Sequence, residues 1–168
     1  SELARLDGIK GRALDALRLG ALLHDIGKLA LPDAILTKPG PLDEGELALM
    51  REHPRIGYEL LQQVDFLRVS SDVPYSHHER WDGSGYPQGL RGEEIPLAAR
   101  IFSVIDVWDA LITERVYEVA WPEDRVLTYL RDVAGSQLDP RLVKLFLDNY
   151  AALKQRLERS EGLPQPAA

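Results

Sequence analysis

The stretch "RALDALRLGALLHDIGKLAL", residues 12–31, decides the fold class, because its apolar residues recur at helical spacing. Those residues are Leu14, Leu17, Ala21, Leu22 and Leu29. Separations of three, four and seven residues among them place them on one face of a helix, which is expected to pack against the protein core. The charged pair His24 and Asp25 then lies inside an otherwise apolar helix.

The same period continues along the chain and predicts an all-α fold. The further helical segments are "LALMREHPRIGYELLQQV" (47–64), about 66–80 with an interruption near Pro74, "LAARIFSVIDVWDALITERVY" (97–117), "WPEDRVLTYLRDVA" (121–134) and "PRLVKLFLDNYAALKQRLERS" (140–160). We find no internal repeat and no sustained alternation of the kind that predicts strands. The fold class is therefore expected to be all-α.

Two local signals mark the second of these segments. Asp43 and Glu46 have the spacing of a capping box immediately before it, which predicts a helix start. Pro54 lies inside the segment and lacks a backbone N–H, so we expect it to kink or divide the helix directly after His53.

The chain is expected to form one domain over residues 1–158, followed by a disordered tail over residues 159–168. A long glycine-rich loop, "WDGSGYPQGLRGEEIP" (81–96), interrupts the helical pattern. Ordered loops of this length are usually functional or mobile, which directs attention to the residues on either side of it.

Composition excludes several classes of protein. The 168 residues contain no cysteine, so disulfides and thiolate metal sites are impossible and a metal must be held by imidazole, carboxylate and water. A net charge of -7 disfavours binding to a nucleic-acid polymer, and an anionic partner is expected to be small. The apolar runs are short and broken by charge, so we expect no membrane insertion and a cytoplasmic location.

The histidines and two carboxylates are the candidate metal ligands. The four histidines are His24, His53, His77 and His78. A single histidine is more often a core or surface residue than a ligand, but Asp25 and Asp106 both lie among apolar neighbours, where an unpaired carboxylate is costly. Each carboxylate is therefore compensated either by a divalent cation or by a buried salt bridge to an arginine.

Five segments, taken together, carry a family resemblance. They are "HDIGK" (24–28), "LPDAILTKPGPL" (31–42), "MREHPRIG" (50–57), "HHERWDGSGYPQGLRGEEIPLAARI" (77–101) and "DVWDALITERVY" (106–117). In this order they resemble an HD-GYP domain, over about residues 15–147. That family is a branch of the HD phosphohydrolases, built as an HD-domain helical bundle, and its active members hydrolyse cyclic di-GMP.

The resemblance implies a pair of divalent metal ions, which for imidazole and carboxylate ligands are Fe, Mn or Zn. One ion would be held by Asp25, His53, His77 and His78, and the other by His24, Asp25 and Asp106. Asp25 would bridge the two ions and stand at the centre of catalysis. The two metal ions would activate a water molecule and neutralise charge on the phosphoryl oxygens.

The resemblance also implies substrate-binding residues. Lys28, expected one helical turn after His24, would bind phosphate or assist the leaving oxygen; its alternative is a solvated lysine at a helix end. Arg115 would clamp a substrate phosphate; its alternative is a surface ion pair. The aromatic rings of Tyr86 and Trp81 would stack on guanine or, alternatively, pack down onto the domain.

This chain differs from the family in two respects. The family places a further histidine on a helix some thirty residues before the HD pair. We expect the chain to lack this first helix. The metal ion held by His24, Asp25 and Asp106 would then have one ligand fewer than in the family. The family also usually has Arg-Pro-Tyr followed by a basic residue, whereas this chain has Val116 and Glu118 around Tyr117. An acidic Glu118 opposes an anionic substrate by charge repulsion.

The expected function is that of a metal-dependent cyclic di-GMP phosphodiesterase, producing linear pGpG with or without a further step to GMP. Such a domain would be the output of a bacterial signalling protein, downstream of a sensory or receiver domain, and would form a homodimer. The alternatives are a non-catalytic HD-GYP module that binds a signalling partner, and an HD hydrolase that acts on another nucleotide.

Overall fold

The computed structural model describes residues 1–114 and 119–161, and within these ranges the chain consists of helices and loops. The α-helices described are α1 (Glu2–Leu6), α2 (Gly11–Leu22), α3 (Asp33–Leu36), α4 (Glu44–Met50), α5 (His53–Gln62), α6 (Asp72–Ser76), α7 (Leu97–Ile112), α8 (Glu123–Asp132), α9 (Pro140–Asp148) and α10 (Tyr150–Glu161). Short 3-10 helices cover Ile26–Ala30, Arg68–Ser70 and Gly92–Glu94. No strand occurs in these two ranges, and the all-α prediction is confirmed.

The start of α4 is the predicted capping box. The Asp43 carboxylate accepts a hydrogen bond from the Glu46 backbone N–H at 2.9 Å, and the Glu46 carboxylate accepts one from the Asp43 N–H at 2.8 Å. These bonds satisfy two backbone donors that the first helical turn leaves without partners. The sequence signal therefore predicts this helix start correctly.

The break around Pro54 lies earlier than predicted. Helix α4 ends at Met50 and α5 begins at His53, so the chain divides before His53 and not after it. Pro54 occupies the first turn of α5, where the absence of an N–H has no cost because that position has no intrahelical acceptor. As a result, His53 is the first residue of a helix and not the last.

The first predicted helix is also shorter than its apolar pattern suggests. Helix α2 ends at Leu22, and the HD pair lies in the turn between α2 and the 3-10 helix Ile26–Ala30. Leu22 and Leu29 are 81% and 79% exposed, so their predicted place in the core is wrong. The helical period ends where the helix ends, and residues beyond it no longer share its buried face.

Two other segments are divided in the same way. The helix predicted over about 66–80 is reduced to α6, with the 3-10 helix Arg68–Ser70 before it. The last predicted helix is split at Asn149 into α9 and α10. Helix α10 continues to Glu161, three residues into the predicted tail; the rest of that tail, residues 162–168, lies outside the described residues.

The apolar core joins the two ends of the chain. Its buried members are Leu3, Ala4, Leu14, Leu17, Ile101, Val104, Val126, Leu130, Leu138, Leu142, Val143, Phe146 and Tyr150. They come from α1, α2 and α7 to α10, with Leu138 from the α8–α9 connection. The smaller element α5 packs on both α6 and the 3-10 helix Ile26–Ala30, and α6 also packs on α2 and α7. The histidines lie within these elements or directly beside their ends.

Within the described residues, no helix is both long enough and apolar enough to cross a membrane.

A buried ion pair fixes α7 to the start of α9. Arg100 Nη1 donates to Asp139 Oδ2 at 2.8 Å, and the two side chains are 11% and 1% exposed. Asp139 also caps α9 by accepting hydrogen bonds from the backbone N–H groups of Arg141 and Leu142. One carboxylate therefore serves as an ion-pair partner and a helix cap at once.

Replacing Asp139 with Ala is expected to lower the free energy of unfolding by about 3 kcal/mol or more, because it removes the cap and leaves the Arg100 charge buried without a partner. Urea unfolding measures this loss. Asp148→Ala is the control, since it breaks an exposed pair with Lys144 and is expected to cost about 0.5 kcal/mol or less. A similar loss in the two variants would contradict this account of Asp139.

Candidate metal centre

The HD pair is presented by a tight turn. After α2 ends, the Leu23 N–H bonds back to the carbonyl oxygens of Leu19 and Gly20, and the chain enters the 3-10 helix Ile26–Ala30 directly after Asp25. Side chains three residues apart eclipse in 3-10 geometry. Lys28 Nζ accordingly donates to Asp25 Oδ2 at 2.6 Å. The predicted i,i+4 relation between Lys28 and His24 on a continuous helix is wrong.

Gly27 allows this turn to lie against α5. A Cβ at Gly27 would lie 1.9 Å from the His53 carbonyl oxygen and 2.6 Å from the Gly57 nitrogen, which is closer than atoms can approach. Since the neighbouring atoms belong to backbone, they cannot rotate away as a side chain would. The absence of a side chain at Gly27 is therefore what brings Asp25 to the first turn of α5.

Three of the histidines are oriented by main-chain carbonyls. His24 Nδ1 lies 2.8 Å from the Ala21 oxygen, His53 Nδ1 lies 2.7 Å from the Met50 oxygen, and His77 Nδ1 lies 3.0 Å from the Pro74 oxygen. A carbonyl oxygen can only accept, so each Nδ1 donates and carries the proton. In a neutral ring Nε2 is then left with a free lone pair, which is the arrangement of a metal-binding histidine.

The Nε2 atoms of these three rings converge on one carboxylate. Asp25 Oδ1 lies 3.3 Å from His53 Nε2 and 3.9 Å from His77 Nε2, while Oδ2 lies 3.3 Å from His24 Nε2. The two carboxylate oxygens thus face different histidines. His78, next to His77 at the end of α6, has a ligand nitrogen within 4.8 Å of those of His53 and His77.

Hydrogen bonds keep Asp25 ionised. Partial burial by itself would raise the pKa of Asp25, but the hydrogen bonds from His24 and Lys28 outweigh it and hold this pKa well below the usual value. The same contact with Asp25 raises the pKa of His24. The carboxylate at the centre of the cluster is therefore charged under all physiological conditions.

The other histidines are neutral at pH 7. Burial, together with the neighbouring imidazoles, lowers the pKa of His77 to about 4 and that of His78 to about 3. Burial also lowers the pKa of His53. Neutral imidazoles are the form that binds metal ions, so these three rings are ready to act as ligands.

The donor set fits a divalent cation. His53 Nε2 and His77 Nε2 lie 3.3 Å apart, each with a lone pair, and the Asp25 carboxylate adds negative charge beside them. Acceptors that face one another repel unless a cation or a proton lies between them. Imidazole nitrogen with carboxylate oxygen suits Fe, Mn and Zn, and these residues therefore fit the predicted metal.

The remaining predicted site residues differ in how far the structure places them. Asp106 lies on α7 and lines a small cavity of about 90 Å³ together with His77 and His78. Its charge also contributes to the raised pKa of His24, so it lies close to the cluster. Arg115 and the unusual residue Glu118 lie outside the described residues.

Glu79 attaches the glycine-rich loop to the histidine pair. Its side chain is buried, and its two oxygens accept the backbone N–H groups of Gln88 at 2.7 Å and Leu90 at 3.0 Å. A Cβ at Gly85 would lie 2.4 Å from the Arg80 nitrogen, so the loop lies against the backbone that follows His78. Sequence reasoning missed Glu79, although an acidic residue directly after two histidines is a visible signal.

The two loop aromatics have different environments. Tyr86 stacks on His78, with ring centres 4.8 Å apart and planes 20° apart, and so lies beside the cluster. Trp81 packs on the domain, with the Arg100 guanidinium 5.8 Å from its ring centre. Of the two predicted stacking residues, Tyr86 is the one next to the histidines.

Comparison with known proteins places the chain in a family. The family model described as "HD domain" matches residues 1–142, which is most of the chain. The chain belongs to the HD domain family. The sequence pattern and the turn that presents His24 and Asp25 thus agree with an independent match.

Two curated proteins resemble this HD domain over most of its length. The cyclic di-GMP phosphodiesterase response regulator RpfG of Xanthomonas campestris is 49% identical over 150 residues, which is 88% of this chain and 40% of that protein. The 3'3'-cGAMP-specific phosphodiesterase 2 of Vibrio cholerae is 39% identical over 150 residues, which is 88% of this chain and 29% of that protein. The HD domain therefore spans less than half the length of either relative.

A solved structure has the same fold. Bd1817, a HDG"Y"P protein from Bdellovibrio bacteriovorus, superposes with a TM-score of 0.68 at 26% identity, over 89% of this chain and 48% of that one. Together with the matched relatives, it confirms the resemblance of this HD domain to the HD-GYP branch.

Gly27→Ala is expected to lower the free energy of unfolding by about 2 kcal/mol or more, because the added methyl group overlaps the backbone of α5. Thermal or urea unfolding measures the loss. Gly45→Ala is the control, since a Cβ there meets its nearest atom at an ordinary 3.4 Å and should leave stability equal or slightly higher. Equal stability of the two variants would show that α5 can move away from Gly27.

Glu79→Ala is expected to release the glycine-rich loop, since it leaves two backbone N–H groups without acceptors at about 1–3 kcal/mol each. Hydrogen exchange at the amides of Gln88 and Leu90 should accelerate strongly. Glu59→Ala, an exposed change on α5, should leave both amides protected. Unchanged protection in the Glu79 variant would mean that other contacts hold the loop.

Proposed function

We propose that this chain is the catalytic domain of a metal-dependent phosphodiesterase that hydrolyses cyclic di-GMP. The observation that supports this most directly is the convergence of neutral His53 and His77 Nε2 atoms on a charged Asp25 carboxylate. The name of the relative RpfG, a cyclic di-GMP phosphodiesterase, supports the choice of substrate.

The proposed ligands form two sets that share Asp25. His53, His77 and His78 would complete one set, and His24 with Asp106 the other, in keeping with the different histidines that the two Asp25 oxygens face. When bound, divalent ions supply Lewis acidity toward phosphoryl oxygen and a water molecule of lowered pKa. The choice among Fe, Mn and Zn depends on supply as much as on these ligands.

Lys28 is proposed to bind the substrate phosphate that is cleaved. An ammonium group has three N–H donors, and in Lys28 the contact with Asp25 Oδ2 engages one of them. The side chain is 37% exposed, so its remaining donors can reach a phosphate oxygen from solvent. The residue would thereby neutralise charge on substrate while it helps to orient the Asp25 carboxylate.

Tyr86 and Arg115 are proposed to hold the rest of the substrate. The half-buried ring of Tyr86, already stacked on His78, is placed to contact a nucleobase beside the cluster. Arg115 retains its predicted role as a phosphate clamp, with Glu118 as an opposing charge. The homodimer, the cytoplasmic location and the upstream sensory or receiver domain stay predictions.

A second candidate is hydrolysis of another cyclic dinucleotide. The relative in Vibrio cholerae named as specific for 3'3'-cGAMP is 39% identical over 150 residues, so closely similar domains exist under both substrate names. The metal ions that the proposed ligands would hold act on phosphate and not on base, so these ligands would not discriminate between the two substrates. Residues near Tyr86 would determine the preference between cyclic di-GMP and 3'3'-cGAMP.

The chain loaded with Mn²⁺ is expected to bind the metal and to convert cyclic di-GMP to pGpG or GMP, with chromatography identifying the products. His77→Ala should lower metal affinity at least about tenfold and abolish turnover, since it removes a buried ligand. Lys144→Ala, on the exposed surface of α9, is the control and should match the wild type.

Two outcomes would contradict the proposal separately. Metal binding without turnover of either cyclic di-GMP or 3'3'-cGAMP would exclude the enzymatic function and favour a non-catalytic module. Unchanged metal content in His77→Ala would refute the ligand assignment while leaving the function open to test with other variants.

A further inference from the structure

Arg51 is an exposed cation without a carboxylate partner among the described residues. It lies in the connection between α4 and α5, two residues before His53. One helical turn later, Arg55 contacts both Glu52 at 2.8 Å and Glu59 at 2.5 Å. The chain has a net charge of -7, yet Arg51 forms no ion pair with a described carboxylate. Its positive charge is therefore available to a negatively charged ligand.

Contacts hold Arg51 beside the metal centre. The carbon of its guanidinium lies 5.5 Å from the ring centre of Tyr86, and that ring stacks on His78 of the histidine cluster. A guanidinium that packs over an aromatic face keeps its N–H donors in its own plane, free to bind other groups. Arg51 therefore lies beside Tyr86, and no hydrogen bond from its guanidinium to another described residue is seen.

Other cations already have a partner or a proposed role: Lys28 is proposed to bind the phosphate that is cleaved, and Arg115, the proposed clamp, lies outside the described residues. Lys28 donates to Asp25, Arg80 donates to Ser84, and Arg100 is paired with Asp139. A cyclic dinucleotide carries two phosphodiester groups, and cleavage at the metal centre engages one of them. The second requires its own cation, because burying an uncompensated phosphate against an acidic protein is unfavourable.

We propose that Arg51 is a substrate-binding residue whose guanidinium binds the phosphodiester that is not cleaved. This inference rests on the proposed function and deepens it, since it applies equally to cyclic di-GMP and 3'3'-cGAMP. The planar guanidinium matches a phosphate with two parallel hydrogen bonds. In the sequence, Arg51 is a basic residue two positions before the predicted ligand His53, in "MREHP".

The test compares a substrate with two phosphodiesters to one with a single phosphodiester. For Arg51→Ala loaded with Mn²⁺, KM for cyclic di-GMP should rise about tenfold or more, with kcat within about twofold of wild type. Hydrolysis of bis(p-nitrophenyl) phosphate, which lacks a second phosphodiester, should be unchanged. Arg51→Lys keeps the positive charge but loses the planar guanidinium that can form two parallel hydrogen bonds. Its KM for cyclic di-GMP should therefore lie between those of the wild type and Arg51→Ala.

Arg55→Ala is the matched control, being an exposed arginine one turn away that already has carboxylate partners. It should leave KM and kcat unchanged for both substrates. Because Arg51 is exposed, its variants should keep the metal content and unfolding temperature of the wild type. If Arg51→Ala does not fold, the KM of Arg51→Lys for cyclic di-GMP provides the test.

Three results would overturn the inference. An unchanged KM for cyclic di-GMP in Arg51→Ala would show that the phosphate is bound elsewhere. An equal loss on both substrates would show that Arg51 acts through the metal centre or the loop. A wild-type protein that cleaves bis(p-nitrophenyl) phosphate but neither cyclic dinucleotide would overturn the proposed function itself, and this inference with it.

Discussion

The backbone of Gly27 lies directly against the first turn of α5, and the arrangement of the site depends on that contact. It brings a turn that carries Asp25 to a helix that begins with His53, although 28 residues separate the two positions in sequence. α6 packs on α5 as well and adds His77 at its end. The ligand atoms are thus presented by the ends of short elements, which can approach one another more closely than the middles of long helices.

The long helices form the apolar core and contribute little to the candidate site. Helices α2, α7, α8 and α9 bury most of the apolar residues of the core, and they include little of the candidate site beyond Asp106. The buried pair of Arg100 and Asp139 fixes two of these helices to one another. Most of the buried apolar side chains therefore lie in one part of the structure, and most of the candidate metal ligands lie in the other.

Residue types were predictable from the sequence more reliably than local geometry. The capping box at Asp43 and the all-α class followed from spacing, and the grouping of four histidines with Asp25 followed from motifs. The end of α2 did not follow from the sequence, because leucines continue past it at helical spacing. The contacts of Glu79 and the proposed role of Arg51 were not predicted either, since both depend on a loop whose path the apolar period does not describe.

The bonds that orient His24, His53 and His77 all use main-chain oxygen atoms as acceptors. Any residue in the same backbone conformation provides that oxygen, so the side chains at Ala21, Met50 and Pro74 can change during evolution without turning the rings. Substitutions at these neighbouring positions therefore leave the direction of each Nε2 unchanged. Related proteins with very different sequences around these histidines could keep one common arrangement of ligand atoms.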